Sequence, residues 1–185
     1  MLSSLTPPVS SSVGTAAFVP GGFAGAGGFK IASYIGGNWY TGTLTPDGSG
    51  TYDLSVAQNT VVTGGPEGIV YVKGIINPGF VADSVLVSEY NTGGVGAYTI
   101  DVNGDPVPPT RMNFLTGLPG AEGAVIDPLT GDFLFSTYTG GNRVVDISGF
   151  AAPAAVPEPA SLMLLGSGLA GLGMFRRKRL APATQ

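Results

Sequence analysis

The sequence predicts an all-β body, arranged as a partial β-propeller-like array of about three blades of antiparallel strands, followed by one C-terminal transmembrane helix. Three observations support this prediction. The chain of 185 residues has 31 Gly and 15 Pro between short runs of Val, Ile, Tyr and Phe, which is typical of strands joined by tight turns. A sequence motif recurs three times along the body. A run of uncharged, mostly apolar residues near the C-terminus is followed at once by basic residues.

Each copy of the repeat consists of an apolar strand, a Ser, a Tyr, a Gly-containing turn and a second apolar strand. The copies are FKIASYIGGNWYTGTLTPDG from Phe29, SVLVSEYNTGGVGAYTIDVNGD from Ser84 and DFLFSTYTGGNRVVDISG from Asp132. The shared residue is Ser33, Ser88 and Ser136, at intervals of 55 and 48 residues. Units of roughly 45 to 55 residues with three or four short strands suit propeller blades.

A second marker, G-x-E-G followed by an apolar run, precedes the later two copies. It is GPEGIVYV from Gly65 and GAEGAVID from Gly120, whereas the first copy has only VGTAAFVP from Val13. The third copy predicts its strands most clearly, as AVID, DFLFSTY and RVVDI, joined by the turns PLTG and TGGN. Three blades are fewer than the four to eight of a closed propeller. We therefore expect a fragment of a longer ancestor, a ring completed by another copy, or a curved open sheet or sandwich.

The body resembles the NHL and SMP-30-like propeller families over roughly residues 14–150. In these families a Pro/Gly-rich turn leads into an apolar strand that ends in Asp-Pro, before a Gly-containing hairpin. In SMP-30-like lactonases a Glu in a similar setting binds a divalent metal, so the resemblance makes Glu67 and Glu122 candidate ligands. A Glu before a strand is more often solvated or bonded to turn amides. We favour that interpretation and predict neither a metal nor a cofactor.

Composition excludes several kinds of catalysis. The chain has no Cys and no His, so a thiolate nucleophile, a disulfide scaffold, a Cys/His zinc site and an imidazole base are all impossible. The repeated serines have no His or Lys placed to activate them, and we expect them to make cross-strand hydrogen bonds instead. The sequence therefore favours a protein that is not an enzyme.

The charge distribution argues against a nucleic acid partner. Four of the eight basic residues are consecutive near the C-terminus: Arg176, Arg177, Lys178 and Arg179. The first 155 residues carry four basic and eleven acidic side chains, a formal charge of −7. An acidic body does not suit a surface that follows phosphates.

Two further patterns have a functional and a structural interpretation. Residues 101–105, DVNGD, resemble the opening of a Ca²⁺ loop, but Met112 stands where the bidentate Glu is required, so a turn at Asn103-Gly104 is preferred. Four aromatic residues could stack on sugars of an exopolysaccharide, although at strand period such residues more often pack in a core. They are Trp39, Tyr40, Tyr98 and Tyr138.

The C-terminal run 160–175 contains sixteen residues without a charge. As a helix it would span about 24 Å, somewhat less than the ~30 Å hydrocarbon core of a bilayer, and snorkelling of the basic residues would supply part of the difference. Pro159 suits the first helical turn, and Glu158 suits the positive end of the helix dipole. The four basic residues favour the cytoplasmic side, which places the body outside it. The alternative is a buried helix of a globular core.

The order V-P-E-P, glycine-studded apolar run and Arg-rich cluster resembles the PEP-CTERM sorting signal of exported bacterial proteins. The resemblance implies that a membrane-embedded exosortase recognises Pro157, Glu158 and Pro159 and that the helix and basic tail are removed during delivery to the cell surface or extracellular matrix. The basic cluster would act as the topological stop. This kind of segment is also labelled an ice-binding protein C-terminal domain, a label that concerns the tail alone.

These inferences divide the chain into five parts. We predict a disordered N-terminus (1–12), a β-repeat body (13–150), a linker (151–156), a sorting signal (157–180) and a short tail (181–185). The first fourteen residues, MLSSLTPPVSSSVG, have neither the basic region nor the apolar run of a secretory signal peptide. A mis-assigned start codon or a truncated gene would account for this and for the small number of blades.

The sequence favours a non-enzymatic surface or matrix protein of a Gram-negative bacterium. We expect it to pass through the inner membrane with its body in the periplasm before it reaches the surface. The alternatives are a metal-dependent lactonase-like propeller, or a remnant of one, and an exopolysaccharide-binding module.

Overall fold

Antiparallel strands are the main regular structure in the described part of this protein. The computed structural model describes residue 9 and residues 12–74, 76–77 and 79–150. Within these ranges there are eleven strands and a 3₁₀ turn at Pro108–Thr110. The all-β prediction is therefore confirmed for the described part of the chain. The strands are β1 (Val13–Phe18), β2 (Phe29–Ser33), β3 (Asn38–Pro46), β4 (Tyr52–Val61), β5 (Pro66–Val72), β6 (Ser84–Glu89), β7 (Gly94–Thr99), β8 (Met112–Thr116), β9 (Ala121–Ile126), β10 (Phe133–Thr137) and β11 (Val144–Ile147).

The strands form three sheets that follow one another along the chain. The first sheet has the order β1-β2-β3-β4, the second β5-β6-β7-β8 and the third β9-β10-β11. Every pairing within them is antiparallel and joins strands that are consecutive in sequence. Each sheet contains one copy of the predicted repeat. The repeat could be predicted because turn residues and β-branched runs are local signals that the sequence displays directly.

The first strands of the three sheets lie side by side, with β5 between β1 and β9. This arrangement creates one apolar core between the first and second sheets and another between the second and third. Trp39, Tyr71 and Val87 belong to the first of these cores. Leu86 and Phe133 belong to the second.

Strand β6 is buried on both faces. Val85 and Val87 point into the first core, and Leu86 between them points into the second, because successive side chains of a strand alternate in direction. Because both faces of β6 are buried, the run Val85-Leu86-Val87 has no polar residue. The first sheet also buries Ile31 and Tyr40 on its other face, where Val9 packs against them.

Several predictions concern residues outside the described ranges. Apart from Val9 and Ser12, the predicted disordered N-terminus (1–12) lies there. So do the linker (151–156), the helix (160–175) and the tail (181–185). Within the described part of the chain, none of the helical structure has the length and apolar character needed to cross a bilayer.

Candidate functional site

The three sheets share a backbone feature where the first strand meets the second. The amide groups of Tyr34, Tyr90 and Tyr138 each donate a hydrogen bond of 2.9 Å to a carbonyl oxygen just before the first strand of their own sheet. The accepting residues are Ser12, Gly65 and Gly120, whose φ angles are +76°, +72° and +66°. Glycine adopts this conformation without steric cost, which explains the first residue of the G-x-E-G marker.

This feature aligns the three copies and corrects the alignment made from sequence. Ser88 and Ser136 stand two residues before their tyrosines, whereas Ser33 stands one residue before Tyr34. The register therefore makes Ala32, not Ser33, the equivalent of the other two serines. The alignment from sequence matched residue types, whereas the backbone hydrogen bonds decide which positions of the three copies are equivalent.

The serines differ in what they bind. Ser136 Oγ accepts a hydrogen bond of 2.8 Å from the amide of Gly123 on the neighbouring strand, as predicted for a cross-strand bond. Ser33 Oγ instead donates to the carbonyl oxygen of Ile35 and accepts from the amide of Asn38, so it stabilises a turn. Ser88 Oγ is buried and has no hydrogen-bond partner among the described residues. The cross-strand prediction thus holds for one serine of the three.

Glu67 and Glu122 lie at equivalent places on adjacent strands, β5 and β9, and Gly14 takes that place on β1. The pairing register shifts at this place in each sheet, which is the mark of a β-bulge. Bulges re-aim side chains and recur near functional sites. The sequence could find the two glutamates, but the bulge depends on the pairing of strands and could not be seen in it.

The carboxylates of Glu67 and Glu122 are close enough to affect each other. Partial burial raises the pKa of Glu67, and the negative charge of Glu122 raises it further. Among the described residues, no group of three or more His, Cys, Asp or Glu side chains has a metal-binding arrangement. The structure therefore places the two predicted candidate ligands on adjacent strands, without a third carboxylate beside them among the described residues.

We expect Glu67→Gln to stabilise the protein at neutral pH. Because the pKa of Glu67 is raised in the folded state, its favourable contribution exists below the unfolded pKa and is lost as the pH rises through the folded pKa. The ionised carboxylate is thus unfavourable at pH 7, and glutamine removes that cost. Thermal unfolding followed by circular dichroism should show a higher Tm for the variant at pH 7 and no gain at about pH 4. Glu122→Gln should give a smaller gain, because it removes only the second cause, and a lower Tm for Glu67→Gln at pH 7 would contradict this account.

A buried carboxylate that the sequence did not single out lies at the end of β6. Glu89 is 0 % exposed and accepts hydrogen bonds from Arg111 Nε at 2.8 Å and Nη2 at 2.5 Å. Tyr98 Oη donates to the same carboxylate at 2.7 Å, and Thr92 Oγ1 donates at 3.0 Å. Burial and the bond to Glu89 raise the pKa of Tyr98, so its hydroxyl remains a donor. Every partner of this carboxylate comes from the second sheet or its loops.

A second buried carboxylate, Asp105, joins the first two sheets. Its Oδ1 lies 2.5 Å from Lys30 Nζ and accepts a hydrogen bond of 2.9 Å from Trp39 Nε1, while Oδ2 accepts one of 2.6 Å from Asn59. Residues 101–105 form a turn, as predicted, in which Asp101 Oδ1 accepts the amides of residues 103 and 105. Asp105, one of the two carboxylates considered for a Ca²⁺ loop, is therefore paired with the buried side chain of Lys30.

Three of the four aromatic residues considered for sugar stacking are buried. Trp39, Tyr40 and Tyr98 belong to the core, which confirms the preferred core interpretation for them. Tyr138 is 65 % exposed. The described aromatic side chains therefore do not form the four-membered stacking surface.

The predicted sorting-signal residues lie outside the described ranges. They are Pro157, Glu158 and Pro159, with the basic residues Arg176, Arg177, Lys178 and Arg179. Their identification depends on sequence. The chain matches the family model of the PEP-CTERM protein-sorting motif over residues 155–179.

The match identifies the C-terminal segment of the chain. The chain carries the sorting motif of exosortase-sorted extracellular proteins, joined to an all-β body of three antiparallel sheets. The predicted resemblance of the C-terminal segment is confirmed. No curated protein and no solved structure matches the chain, so the resemblance of the body to NHL and SMP-30-like propellers has no support from these comparisons.

Proposed function

We propose that this protein is a non-enzymatic, exported surface or matrix protein of a Gram-negative bacterium, delivered by a membrane-embedded exosortase. The PEP-CTERM motif at residues 155–179 carries the proposal. In this account Pro157, Glu158 and Pro159 are the recognition element. The uncharged run 160–175 spans the inner membrane during transit, and the basic cluster holds its far end in the cytoplasm.

The proposed direction of insertion follows from charge. Four consecutive basic residues next to an apolar run favour the cytoplasmic side, so the acidic body lies in the periplasm before release. Small residues within the run permit close approach of another helix in the bilayer. This favours a protein partner in the membrane, which an exosortase would supply.

The described body supports a structural role. Its two most buried carboxylates, Glu89 and Asp105, are fully engaged by partners within the body. The chain also has no His and no Cys. We propose that the three sheets are propeller-like blades, because their first strands lie side by side and each sheet is an antiparallel meander.

Substitution of the recognition element tests the sorting proposal. Replacing Pro157, Glu158 and Pro159 together with alanine, in a chain expressed behind a functional signal peptide in an exosortase-containing host, is expected to abolish release of the body. The protein should then remain in the membrane fraction, as detected by immunoblotting of cell fractions. Pro153→Ala is the matched control, because it changes a proline that lies outside the matched residues. Equal release of the triple variant and the control would contradict the proposal.

A metal-dependent lactonase-like activity is the second candidate, favoured by the equivalent places of Glu67 and Glu122 on the adjacent strands β5 and β9, where the charge of Glu122 raises the pKa of Glu67. Carboxylate oxygens are suitable ligands for Ca²⁺. Calorimetric titration of the intact protein with Ca²⁺ tests this candidate, with the Glu67→Gln/Glu122→Gln variant as the control. Heat of binding that disappears in the double variant would support it, and the absence of heat from the unsubstituted protein would remove it.

A further inference from the structure

The third sheet has one face turned away from the second sheet, which we call the open face. It carries Gly123 and Val125 on β9, Leu134 and Ser136 on β10, and Val144 on β11. The opposite face, which includes Phe133 and Phe135, is buried in the second core. Val125 is 52 % and Val144 is 70 % exposed. The open face therefore presents a partly apolar surface, on which the charged Asp146 is also exposed.

The open face repeats the residues with which the second sheet packs against the third. Ser88 pairs with Val95 and Leu86 with Val70, just as Ser136 pairs with Val144 and Leu134 with Val125. Gly68 beside Ser88 corresponds to Gly123 beside Ser136. Five equivalent positions thus hold identical residues, and the sixth differs, with Asp146 in place of Ala97.

In the second sheet these residues are buried, except for the half-buried Val70, because the third sheet covers them. Leu86 and Ser88 are completely inaccessible. A Cβ atom at Gly68 would collide with the backbone of Glu122, so glycine is what allows β5 and β9 to approach closely. The equivalent Gly123 is exposed, and its Cβ would meet only Ser136 of its own sheet. Gly123 therefore leaves room for a neighbouring strand to approach the open face, and the described residues do not supply such a strand.

A complementary face is present on the first sheet. Phe18 pairs with Phe29 and Ala16 with Ile31 on its outward side. These residues correspond to the pairs through which the third sheet contacts the second, Ile126 with Phe133 and Ala124 with Phe135. Phe18 and Ala16 are exposed, whereas Ile31 is buried against Val9, so the free part of this face lies along β1. One chain thus carries both halves of a contact that it already makes twice internally.

We propose that the open face of one copy packs against the outward face of the first sheet of a second copy, and the reverse, to form a two-fold ring of six sheets. Six lies within the four to eight blades of closed propellers, and two-fold closure is the commonest symmetry of soluble oligomers. The contact would continue the internal packing of β1 on β5 and β5 on β9. This inference goes beyond the proposed function and does not depend on exosortase sorting.

The mass of the full chain in solution, measured by size-exclusion chromatography with light scattering in a mild detergent, tests the ring. We expect twice the mass of one chain for the unsubstituted protein and the mass of one chain for Val125→Arg/Val144→Arg. Val102→Arg is the matched control and should leave the dimer intact, because Val102 is a turn residue that is 83 % exposed. Circular dichroism checks that each variant is folded.

A mixing experiment distinguishes this two-face contact from other dimers. Phe18→Arg changes the opposite face and should also give single chains. An equimolar mixture of Phe18→Arg and Val125→Arg/Val144→Arg retains one intact contact and should recover dimer. A single-chain mass for the unsubstituted protein, a mass unchanged by the open-face variant, no recovery on mixing, or a mass that keeps growing with concentration would each overturn the proposal.

Discussion

Arg111→Met is expected to lower the free energy of unfolding by about 3–5 kcal/mol. The guanidinium group makes two hydrogen bonds to the carboxylate of Glu89, which is completely buried. Without it, Tyr98 and Thr92 remain as hydroxyl partners, and the negative charge has no counter-charge. Removing one member of a buried ion pair costs more than the pair contributes, since the remaining charge cannot reach water. Urea unfolding followed by the fluorescence of Trp39, the single tryptophan, measures the change.

Arg143→Met is the matched control for this prediction. Arg143 is exposed and takes part in no ion pair among the described residues, so the control should change stability by less than about 0.5 kcal/mol. The double variant Glu89→Gln/Arg111→Met should recover part of the loss, because it removes the buried charge. Equal stability of the Arg111 variant and the control would show that the buried carboxylate of Glu89 does not depend on Arg111.

Asp105→Ala is expected to have an effect of similar size, about 3–5 kcal/mol. The substitution leaves the ammonium group of Lys30 without its counter-charge at a site that is almost completely buried. It also removes the acceptor for the Trp39 indole and a partner of Asn59. Because Asp105 lies in a loop of the second sheet and Lys30 in the first, the loss should weaken the contact between the sheets. Urea unfolding followed by circular dichroism avoids the direct effect on Trp39 fluorescence.

Two variants separate the charge effect from a general loss of packing. Asp132→Ala removes a carboxylate that makes no ion pair within the described residues and should change stability little. Lys30→Met/Asp105→Leu replaces the pair with apolar side chains and should be more stable than Asp105→Ala alone. The account fails if Asp105→Ala and Asp132→Ala unfold at the same urea concentration.

The sequence predicted the strands because their signals are local. Runs such as Val85-Leu86-Val87 and the turns rich in glycine mark strand interiors and ends without reference to distant residues. The strands of the third sheet lie close to their predicted bounds, at Ala121–Ile126, Phe133–Thr137 and Val144–Ile147. The first copy was misaligned by one residue because Ser33 imitates the serine of the other copies, whereas register is set by strand pairing.

The buried ion pairs could not be predicted from the sequence. In the sequence, a buried lysine at a strand position such as Lys30 cannot be distinguished from a solvated one. Its partner Asp105 is distant along the chain. Glu89 and Arg111 are likewise brought together only when β6, β7 and β8 pair. Such contacts depend on tertiary structure, so residue type and spacing carry no signal for them. The C-terminal motif is the opposite case, since its Pro-Glu-Pro triplet, apolar run and basic cluster are contiguous.

In the proposed function, the C-terminal segment is a sorting signal that an exosortase processes. The most direct test is the intact mass of the protein, expressed behind a functional signal peptide and purified from otherwise identical strains with and without exosortase. The mature protein should lack the apolar run 160–175 and the basic cluster when exosortase is present, and should retain both when it is absent. The same C-terminal residues in both strains would contradict the claim.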